Sequence, residues 1–310
     1  MIVIGGEALV DLVPDKSTAD GELGPLHPRL GGGPYNVAVA LGRLGVPAGF
    51  FARLSTDQFG DKLHERLVQS NVDTSLVQRS AEPTTLAVVG LGADGSARYS
   101  FHTEGTAARF VEDAGPLPDE VTAVAVGTLG MVLEPGATVY EKVLEREAAR
   151  GRFVSLDPNI RGDLIEDPDA YRKRFERWLG SVDLLKLSLE DAEWLAGDED
   201  LDTALERWHR AGPGGVVLTR GSEGLTALTG SGERVEVPVV RAEVADTIGA
   251  GDTVQAALLA WLHQHDALTA DALRALGRAE WEQMLDFAAR AAAITVSRPG
   301  AEPPFASELS

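Results

Sequence analysis

The segment Asp246–Thr253 (DTIGAGDT) places a glycine-rich turn directly before an apolar helical run that continues to Leu262. Backbone N–H groups at the start of a helix have no intrahelical partner, and the helix dipole adds positive potential there. Such a helix start binds phosphate oxygens, and glycine lets the backbone approach them without an intervening Cβ. The pattern therefore predicts an anion site at this glycine-rich turn.

Asp252 lies inside this turn, where a carboxylate would repel a phosphate unless it had another role. In one interpretation it is an ordinary acidic residue in the first turn of a helix, favoured by capping and by the dipole. In the other it is a general base that takes a proton from an attacking hydroxyl group. The segment alone does not decide between the two.

Several other classes of site are excluded by the residue types that the chain contains. The G-x-G-x-x-G string at 90–95 is followed by a second strand-like run rather than a helix, so a hairpin turn explains it better than a dinucleotide site. None of the five lysines follows a glycine, which excludes a P-loop. The absence of cysteine excludes a disulfide, a thiolate nucleophile and a cysteine-ligated metal.

The charge balance points away from polyanionic partners. The chain has 310 residues with 28 basic and 48 acidic side chains, which gives a net charge of −20. Nucleic-acid binding needs a basic surface, and anionic membranes also repel such a protein. No apolar run reaches the ~18 residues of a membrane span, and no basic residue precedes Lys16 to form a signal peptide. We expect a cytoplasmic protein.

The helices and strands that position the segment Asp246–Thr253 are predicted from hydrophobic periodicity. Short apolar strands alternate with helical segments from about residue 120, which predicts βαβ units and a parallel sheet covered by helices. Residues 14–30 are expected to be irregular, and 84–91 with 97–102 form a predicted hairpin around a turn at 92–95. The other predicted strands are 1–4, 123–126, 153–156, 184–187 and 216–219. The predicted helices are 35–44, 136–150, 169–180, 190–197, 202–211 and 253–265. We expect one α/β domain over 1–310 with a small β element made by early insertions.

Segments along the whole chain resemble the ribokinase-like (PfkB) carbohydrate kinases. DTIGAGDT is similar to the C-terminal signature of that family, and GGGPYNVAVALGRLG at 31–45 is similar to its N-terminal signature. Further matching segments occur in the same order at 5–11, 128–135, 157–161, 186–191 and 219–224. The GEALVDLVP start and the TLGMVLEP segment most resemble bacterial fructokinases.

The resemblance implies an ATP-dependent sugar kinase with an α/β fold. The expected architecture is a doubly wound, mostly parallel sheet flanked by helices, with a small β-sheet lid formed by insertions at about 12–30 and 84–108. Asp252 then corresponds to the catalytic base that deprotonates the sugar hydroxyl. The backbone of Gly249, Ala250 and Gly251 corresponds to the anion hole for the transferring phosphoryl group.

The resemblance also assigns residues to the sugar. The residues that correspond to sugar contacts are Asp11, Gly32, Gly33, Asn36, Phe101 and Arg161. For Asp11 the alternative is an ordinary loop residue. For Arg161 the alternative to a sugar or phosphate contact is an ion pair with Asp157 or Asp163.

Nucleotide and metal positions follow from the same comparison of segments. The residues expected at the nucleotide are Lys186, Ser188, Thr219, Gly221 and Gly224. Glu190 and Asp191 match acidic residues that organise Mg²⁺ through water, although two acids in the first turn of a helix would look the same. Asp246 and the carbonyl of Ile248 correspond to a monovalent-cation (K⁺) site in some members.

The sequence departs from the family at three positions that affect specificity. Phe287-Ala288-Ala289 lacks the asparagine that often lies near adenine, and Ala108 replaces an acidic residue of fructokinases. Thr103 stands where kinases for 2-keto-3-deoxygluconate carry a lid arginine, which disfavours an acid sugar because a desolvated carboxylate needs a cation.

These observations favour D-fructose, phosphorylated on its 6-hydroxyl. The alternatives are a kinase for 2-keto-3-deoxygluconate, ribose or a nucleoside, and a non-catalytic sugar- or nucleotide-binding sensor. We expect a homodimer that pairs through the β lid, because strand edges and apolar surface commonly pair with a second copy.

Overall fold

Two sheets organise the chain in the computed structural model, which describes residues 1–15, 24–91 and 97–309. The larger sheet has the strand order β14-β13-β12-β11-β10-β9-β1-β4-β5, with β6 beside β4, and the smaller has the order β3-β2-β7-β8. The strands are Ile2–Gly5 (β1), Leu9–Pro14 (β2), Leu26–Gly31 (β3), Ala48–Ser55 (β4), Val72–Asp73 (β5), Val77–Ser80 (β6), Thr85–Leu91 (β7), Ala97–His102 (β8), Ala123–Gly127 (β9), Phe153–Asp157 (β10), Leu184–Ser188 (β11), Gly215–Thr219 (β12), Leu225–Leu228 (β13) and Arg234–Val237 (β14).

The helices form two layers on the larger sheet. They are Gly33–Arg43 (α1), Gln58–Gln69 (α2), Gly136–Ala149 (α3), Pro168–Leu179 (α4), Leu189–Ala196 (α5), Leu201–Ala211 (α6), Ala250–Gln264 (α7), Ala270–Ala275 (α8) and Arg278–Val296 (α9). One apolar core lies between the sheet and the layer of α1, α2, α7 and α9, and a second lies under α3 to α6. Successive residues of β1 alternate between the cores, as expected for a strand covered on both faces.

Strands are added to the larger sheet first on one side of β1 and then, from β9 onward, on its other side. The strands β4 and β5 extend the sheet on one side of β1, whereas β9 to β12 extend it on the other, all with parallel pairing. In an open α/β sheet, ligands bind outside the carboxyl ends of the strands at such a switch point. The turns that follow β1 and β9 are therefore expected to border the functional site.

The smaller sheet contains a strand that the sequence analysis did not predict. Residues 14–30 were expected to be irregular, but Leu26–Gly31 pairs antiparallel with Leu9–Pro14. The prediction failed because His27 and Pro28 interrupt the apolar alternation, and an edge strand tolerates a proline that a central strand would not. The predicted pairing of 84–91 with 97–102 is confirmed by β7 and β8, whereas the turn at 92–95 lies outside the described residues.

The predicted fold class is confirmed: a mostly parallel sheet is flanked by helices, and a small separate sheet accompanies it. Helix α7 begins at Ala250, three residues before the predicted start, so that Asp252 lies within its first turn. Over residues 1–15, 24–91 and 97–309, no helix is both long and apolar enough to cross a membrane.

Candidate active site

A cavity of about 310 Å³ lies at the carboxyl ends of the parallel strands, between the two sheets. The turn after β1, the start of α1 and the turn after β9 border it on one side, and the loop before α7 borders it on another. Its lining residues are Glu7, Leu9, Asp11, Gly32, Gly33, Asn36, Tyr99, Phe101, Thr128, Leu129, Asn159, Arg161, Lys186, Ser188, Asp191, Thr219, Thr247, Ile248, Gly249, Gly251 and Asp252. This position is the switch point that the strand order indicates.

The loop before α7 is fixed by backbone contacts. The Asp246 carboxylate accepts hydrogen bonds from the N–H groups of Ile248 (3.0 Å) and Gly300 (2.9 Å). Gly249 has the left-handed φ of 77°, and a Cβ there would lie 2.6 Å from the Cβ of Ala301. Only glycine satisfies both the backbone angle and this close approach, so the loop conformation depends on Gly249.

The start of α7 is open to the cavity. No side chain caps this helix, and within the described residues the N–H groups of Gly251 and Asp252 have no acceptor. The N–H of Ala250 is used in a turn, where it donates to the carbonyl of Thr247 (3.3 Å). Two of the three predicted anion-hole residues therefore keep a free N–H at the positive end of the helix.

Asp252 and Asn36 are directly hydrogen bonded. The Nδ2 of Asn36 donates to Oδ2 of Asp252 at 2.8 Å, and both side chains are buried. Burial raises the pKa of Asp252, while the Asn36 hydrogen bond and the positive charges of Lys186 and Arg161 act in the opposite direction. A buried carboxylate with one oxygen held in this way fits the role of a general base.

Polar and aromatic side chains from the smaller sheet face Asp252 across the cavity. Burial, together with the nearby charge of Asp252, raises the pKa of Asp11 to about 6. Tyr99 and Phe101 stack on each other with ring centroids 5.8 Å apart. The buried Oδ1 of Asn36 has no hydrogen-bond partner in the described structure, so it is an acceptor available to a polyol.

Two cations border the cavity. Lys186 is buried and its Nζ lies 2.6 Å from Oδ2 of Asp157. Burial opposes the charge on Lys186, but the carboxylate of Asp157 outweighs it and raises the lysine pKa, so the ammonium stays protonated. A Cβ on Gly251 would lie 3.1 Å from this Nζ, which places the ammonium beside the start of α7. The two features together form one positive region.

Arg161 is the second cation. Its Nη1 donates to the backbone and side-chain oxygens of Asn159 and to the carbonyl of Ile160. No carboxylate of the described residues forms an ion pair with it, so the expected alternative of pairing with Asp157 or Asp163 is not observed. The guanidinium charge is therefore held at the cavity without a compensating acid, which suits a phosphate group.

Asp191 combines a structural role with a position in the cavity. Its carboxylate accepts from the N–H groups of Ile160 (2.6 Å) and Ser188 (3.0 Å), and Ser188 in turn caps α5. This capping box matches the alternative in which the acids belong to the first turn of a helix. Glu190, the neighbouring acid, is exposed and does not line the cavity.

Comparison with known proteins agrees with this geometry. The family model described as "pfkB family carbohydrate kinase" matches residues 1–308. The chain belongs to this family. A fructokinase from Rhizobium leguminosarum bv. trifolii is 41% identical over 271 residues, which cover 87% of this chain and 82% of that protein. A fructokinase from Klebsiella pneumoniae is 34% identical over 268 residues, covering 84% and 83% of the two chains.

A solved structure from this family has the same fold over nearly the whole chain. The structure of a fructokinase with bound ATP from Xylella fastidiosa superimposes with a TM-score of 0.87 at 28% identity, and covers 99% of this chain and 96% of that one. The resemblance inferred from the short sequence segments is therefore confirmed, and the chain is a carbohydrate kinase of the pfkB family.

Most residues predicted for the site meet at the cavity, and a few do not. Those outside its lining are Ala250, Glu190, Gly221, Gly224 and Asp246. Gly221 and Gly224 lie in the connection between β12 and β13, next to Thr219, which does line the cavity. Thr103, used above to argue against an acid sugar, is buried and is not among the residues that line the cavity, and its backbone carbonyl accepts from the hydroxyl of Thr106.

The sequence analysis gave no role to several residues that line the cavity or contact a lining residue. They are Glu7, Tyr99, Thr128, Asp157 and Asn159. Glu7 directly follows Gly5 and Gly6 at the end of β1, and a polar residue just after a buried strand could have been recognised in the sequence as a candidate site residue. Tyr99 could also have been predicted from the sequence, since alternation along β8 places it on the same face as Phe101. The partners of Asp157 and Asn159 depend on tertiary contacts that the sequence pattern does not contain.

Proposed function

We propose that this protein transfers the γ-phosphoryl group of ATP to the 6-hydroxyl of D-fructose. One observation carries the proposal: Asp252, at the open start of α7, is hydrogen bonded to Asn36 and shares a cavity with Asp11. The cavity thus combines a buried base, acceptors for hydroxyl groups and free backbone donors for an anion. The fructokinases among its relatives support fructose as the substrate.

In the proposed reaction Asp252 accepts the proton of the sugar hydroxyl as its oxygen attacks the γ-phosphorus. The new oxygen–phosphorus bond forms while the bond from the γ-phosphorus to the bridging oxygen breaks, and ADP leaves with that oxygen. Positioned general-base catalysis is typically worth ~10²–10⁴ in rate. Phosphoryl transfer otherwise requires alignment and charge stabilisation rather than covalent help from the protein.

Three positive features support charge stabilisation on the transferring group. The free N–H groups of Gly251 and Asp252 lie beside the ammonium of Lys186, and the unpaired guanidinium of Arg161 lies at the same cavity. Phosphate oxygens are bound well by helix starts and by planar guanidinium groups. We assign Lys186, Ser188, Thr219, Gly221 and Gly224 to the nucleotide in this proposal.

The charges around the sugar side favour a neutral substrate. Asp11 and Asp252 are buried acids, and the Arg161 charge is needed for the phosphoryl group in this proposal. An acid sugar would bring a further carboxylate without a dedicated cation, and an unpaired desolvated charge is costly. This argument does not depend on Thr103, which is not among the residues that line the cavity. Fructose is uncharged, and in this proposal its hydroxyl groups lie among Asp11, Gly32, Gly33, Asn36 and Phe101, which line the cavity.

The described residues fit a magnesium ion that arrives with the nucleotide. No group of three or more His, Cys, Asp or Glu side chains that could hold a metal by itself occurs in the described ranges. Mg²⁺ usually keeps several waters and binds one or two carboxylates together with substrate phosphates. Asp191 lines the cavity, and because both of its oxygens already accept backbone N–H groups it would hold the ion through a bridging water, whereas Glu190 does not line the cavity. Bound Mg²⁺ would neutralise phosphate charge.

A monovalent cation at Asp246 and the Ile248 carbonyl stays a prediction. Both Asp246 oxygens already accept backbone N–H groups, so this carboxylate is committed to holding the loop before α7. Activity measured in potassium and in tetramethylammonium chloride of equal ionic strength tests for the cation. Equal rates in the two salts would contradict it.

The smaller sheet is proposed to act as a lid and as a dimer surface. Its inner side carries Tyr99 and Phe101 toward the cavity, which supports closure over the sugar and exclusion of water. The edge strand β3 exposes the consecutive residues Leu26, His27, Pro28 and Arg29. A monomeric mass by light scattering at micromolar concentration would contradict the dimer. A cytoplasmic location also stays a prediction.

A sugar panel with MgATP tests the proposed function. Purified protein is incubated with fructose, ribose, 2-keto-3-deoxygluconate, a nucleoside and glucose, and ADP release is measured in each case. We expect the highest kcat/KM with fructose. The Asp252→Asn variant, prepared identically, controls for a contaminating kinase. A preference for another sugar would overturn fructose, and no ADP with any sugar would indicate a binding protein without turnover.

A further inference from the structure

Glu7 is a buried acid that the proposed reaction does not use. It follows β1, is only 2% exposed and lines the cavity. Its Oε1 accepts from the N–H of Gly33 at 3.3 Å, and its Oε2 accepts from the N–H of Gly130 at 3.0 Å. A buried polar group is retained only when its hydrogen-bonding capacity is satisfied, so these two contacts define what the side chain does here.

The two donors belong to different walls of the cavity. Gly33 is the first residue of α1, whose preceding residue Gly32 offers no side chain to cap the helix. Gly130 lies in the 3₁₀ turn Thr128–Met131, which follows β9. Both segments contribute lining residues, so one carboxyl group connects the turn proposed for the sugar to the turn at the sheet switch point.

Gly33 also approaches the proposed base. A Cβ at this position would lie 2.6 Å from Oγ1 of Thr128 and 3.4 Å from Oδ1 of Asp252. The backbone of α1 therefore packs against the carboxylate that is proposed to take the proton. A shift of Gly33 would change the separation between the bound sugar and Asp252.

We propose that Glu7 is a positioning residue for phosphoryl transfer. Its two oxygens hold the starts of α1 and of the 3₁₀ turn at a fixed separation, and this sets where the sugar hydroxyl lies relative to Asp252. The inference rests on the proposed function and deepens it. A misplacement of about 1 Å between reacting groups can cost ~10²-fold in rate, so the geometric role has a measurable consequence.

A purely structural acid provides the matched control. Glu147 on α3 is fully buried, accepts from the N–H of Leu117 at 3.0 Å and pairs with Arg146 and Arg150. It does not line the cavity. Glu7→Gln and Glu147→Gln therefore make the same chemical change at two buried sites, one beside the proposed reaction and one away from it.

The experiment compares these variants with the wild-type chain in the MgATP and fructose assay, well below each melting temperature. Glutamine places an NH₂ group opposite one of the two backbone donors, so Glu7→Gln disturbs the bridge without removing side-chain volume. We expect kcat/KM for fructose to fall about 30-fold or more, on the scale of the cost of misplacement. The KM for MgATP should change less than about threefold, because the mutated contacts lie on the sugar side.

Glu147→Gln should lower the melting temperature and leave both kinetic parameters within about twofold of wild type. If Glu7→Gln does not fold, Glu7→Asp is measured instead, and it should lose kcat/KM for fructose because the shorter chain cannot reach both donors. A folded Glu7 variant with unchanged kcat/KM, or with KM for MgATP shifted as much as that for fructose, overturns the positioning role. Absence of activity in the wild-type chain would instead overturn the proposed function.

Discussion

Helices α1 and α7 both begin at the cavity, and both begin with a glycine instead of a capping side chain. At α1 the protein supplies its own acceptor, because the Glu7 carboxyl group binds the N–H of Gly33. At α7 no described side chain accepts the N–H groups of Gly251 and Asp252. The two helix starts therefore differ: the first N–H of α1 has an acceptor within the protein, whereas the start of α7 keeps free N–H groups, as the proposed anion site requires.

Five of the other described helices begin with a capping side chain, whereas α3 and α9 do not. The side chains that cap α2, α4, α5, α6 and α8 are Asp57, Asp167, Ser188, Asp200 and Thr269. A capping side chain satisfies one of the N–H groups that an anion would otherwise bind. What distinguishes α7 is that its uncapped start lies at the cavity, and the predictions below test the contrast with α1.

The largest effect is expected at Asp252. Asp252→Asn keeps the shape of the side chain and removes the base, so kcat should fall ~10²–10⁴-fold. The binding of ATP and of fructose, measured by calorimetry, should stay close to wild type. Asp271→Asn, at an exposed position in the first turn of α8, is the control and should leave kcat unchanged. Turnover near wild type in Asp252→Asn would remove this residue from its role.

The open start of α7 is tested at Gly249. Gly249→Ala introduces a strained left-handed alanine and a contact with Ala301, which should displace the free N–H groups. Loss of one stabilising donor commonly costs ~3 kcal/mol, so kcat should fall about 100-fold. Gly232→Ala is matched in backbone angle, with φ of 79°, but has nothing within 4 Å of the added carbon. That control should lose stability only; equal kinetic losses in both variants would contradict the prediction.

The filled start of α1 is tested by the pH dependence of stability. Burial raises the pKa of Glu7 to about 8 from an ordinary value of 4.5, so the folded protein keeps a proton that the unfolded chain releases. The stabilisation is complete below about pH 4.5 and is lost as the pH rises toward 8, by up to ~1.4 kcal/mol per pH unit. Glu7→Gln should flatten this decline.

The informative window for that measurement lies between pH 6 and 8. Asp11 and Asp157, whose pKa values are each raised to about 6, change stability in the same direction but at lower pH, and buried Asp252, whose pKa is also raised, contributes equally to both proteins. Urea unfolding at several pH values in this window should give a falling free energy for the wild-type chain and a flatter curve for Glu7→Gln. Parallel curves would show that Glu7 does not carry the linked proton.

The smallest effect is expected at a helix that has its own cap. Ser188→Ala and Thr269→Ala should each cost about 1 kcal/mol of unfolding free energy, because each removes an N-cap hydrogen bond. Only Ser188 lines the cavity, so only its variant should raise the KM for MgATP. Thermal melts and steady-state kinetics on both proteins check this. An unchanged KM in Ser188→Ala would limit Ser188 to its capping role.

The parts of the fold that depend on local pattern were predictable from the sequence. The strands β9 to β12 and the helices between them agree with the predicted ranges to within a few residues, because both faces of these strands are buried and read as continuous apolar runs. The strand Leu26–Gly31 was missed because its side chains are mostly exposed and include Pro28. Edge strands carry little of the apolar signal from which strands are predicted.

The part of the site that lies in short local motifs was predictable from the sequence. Asp252 and the glycines before it were identified because a glycine-rich turn before a helix has a physical meaning. The contacts of Glu7 with Gly33 and Gly130 join positions that lie 26 and 123 residues apart, and no local pattern encodes them. The Asp157–Lys186 pair was hidden for the same reason.

The hydrogen bond between Asn36 and Asp252 spans 216 positions of the chain. During synthesis the sugar-facing half of the cavity leaves the ribosome long before the segment that carries the base. Until α7 has emerged and folded, a growing chain holds Asp11 and Asn36 but lacks both Asp252, the proposed proton acceptor, and the open helix start. Under the proposed mechanism, phosphoryl transfer from ATP therefore begins only when most of the polypeptide has been made.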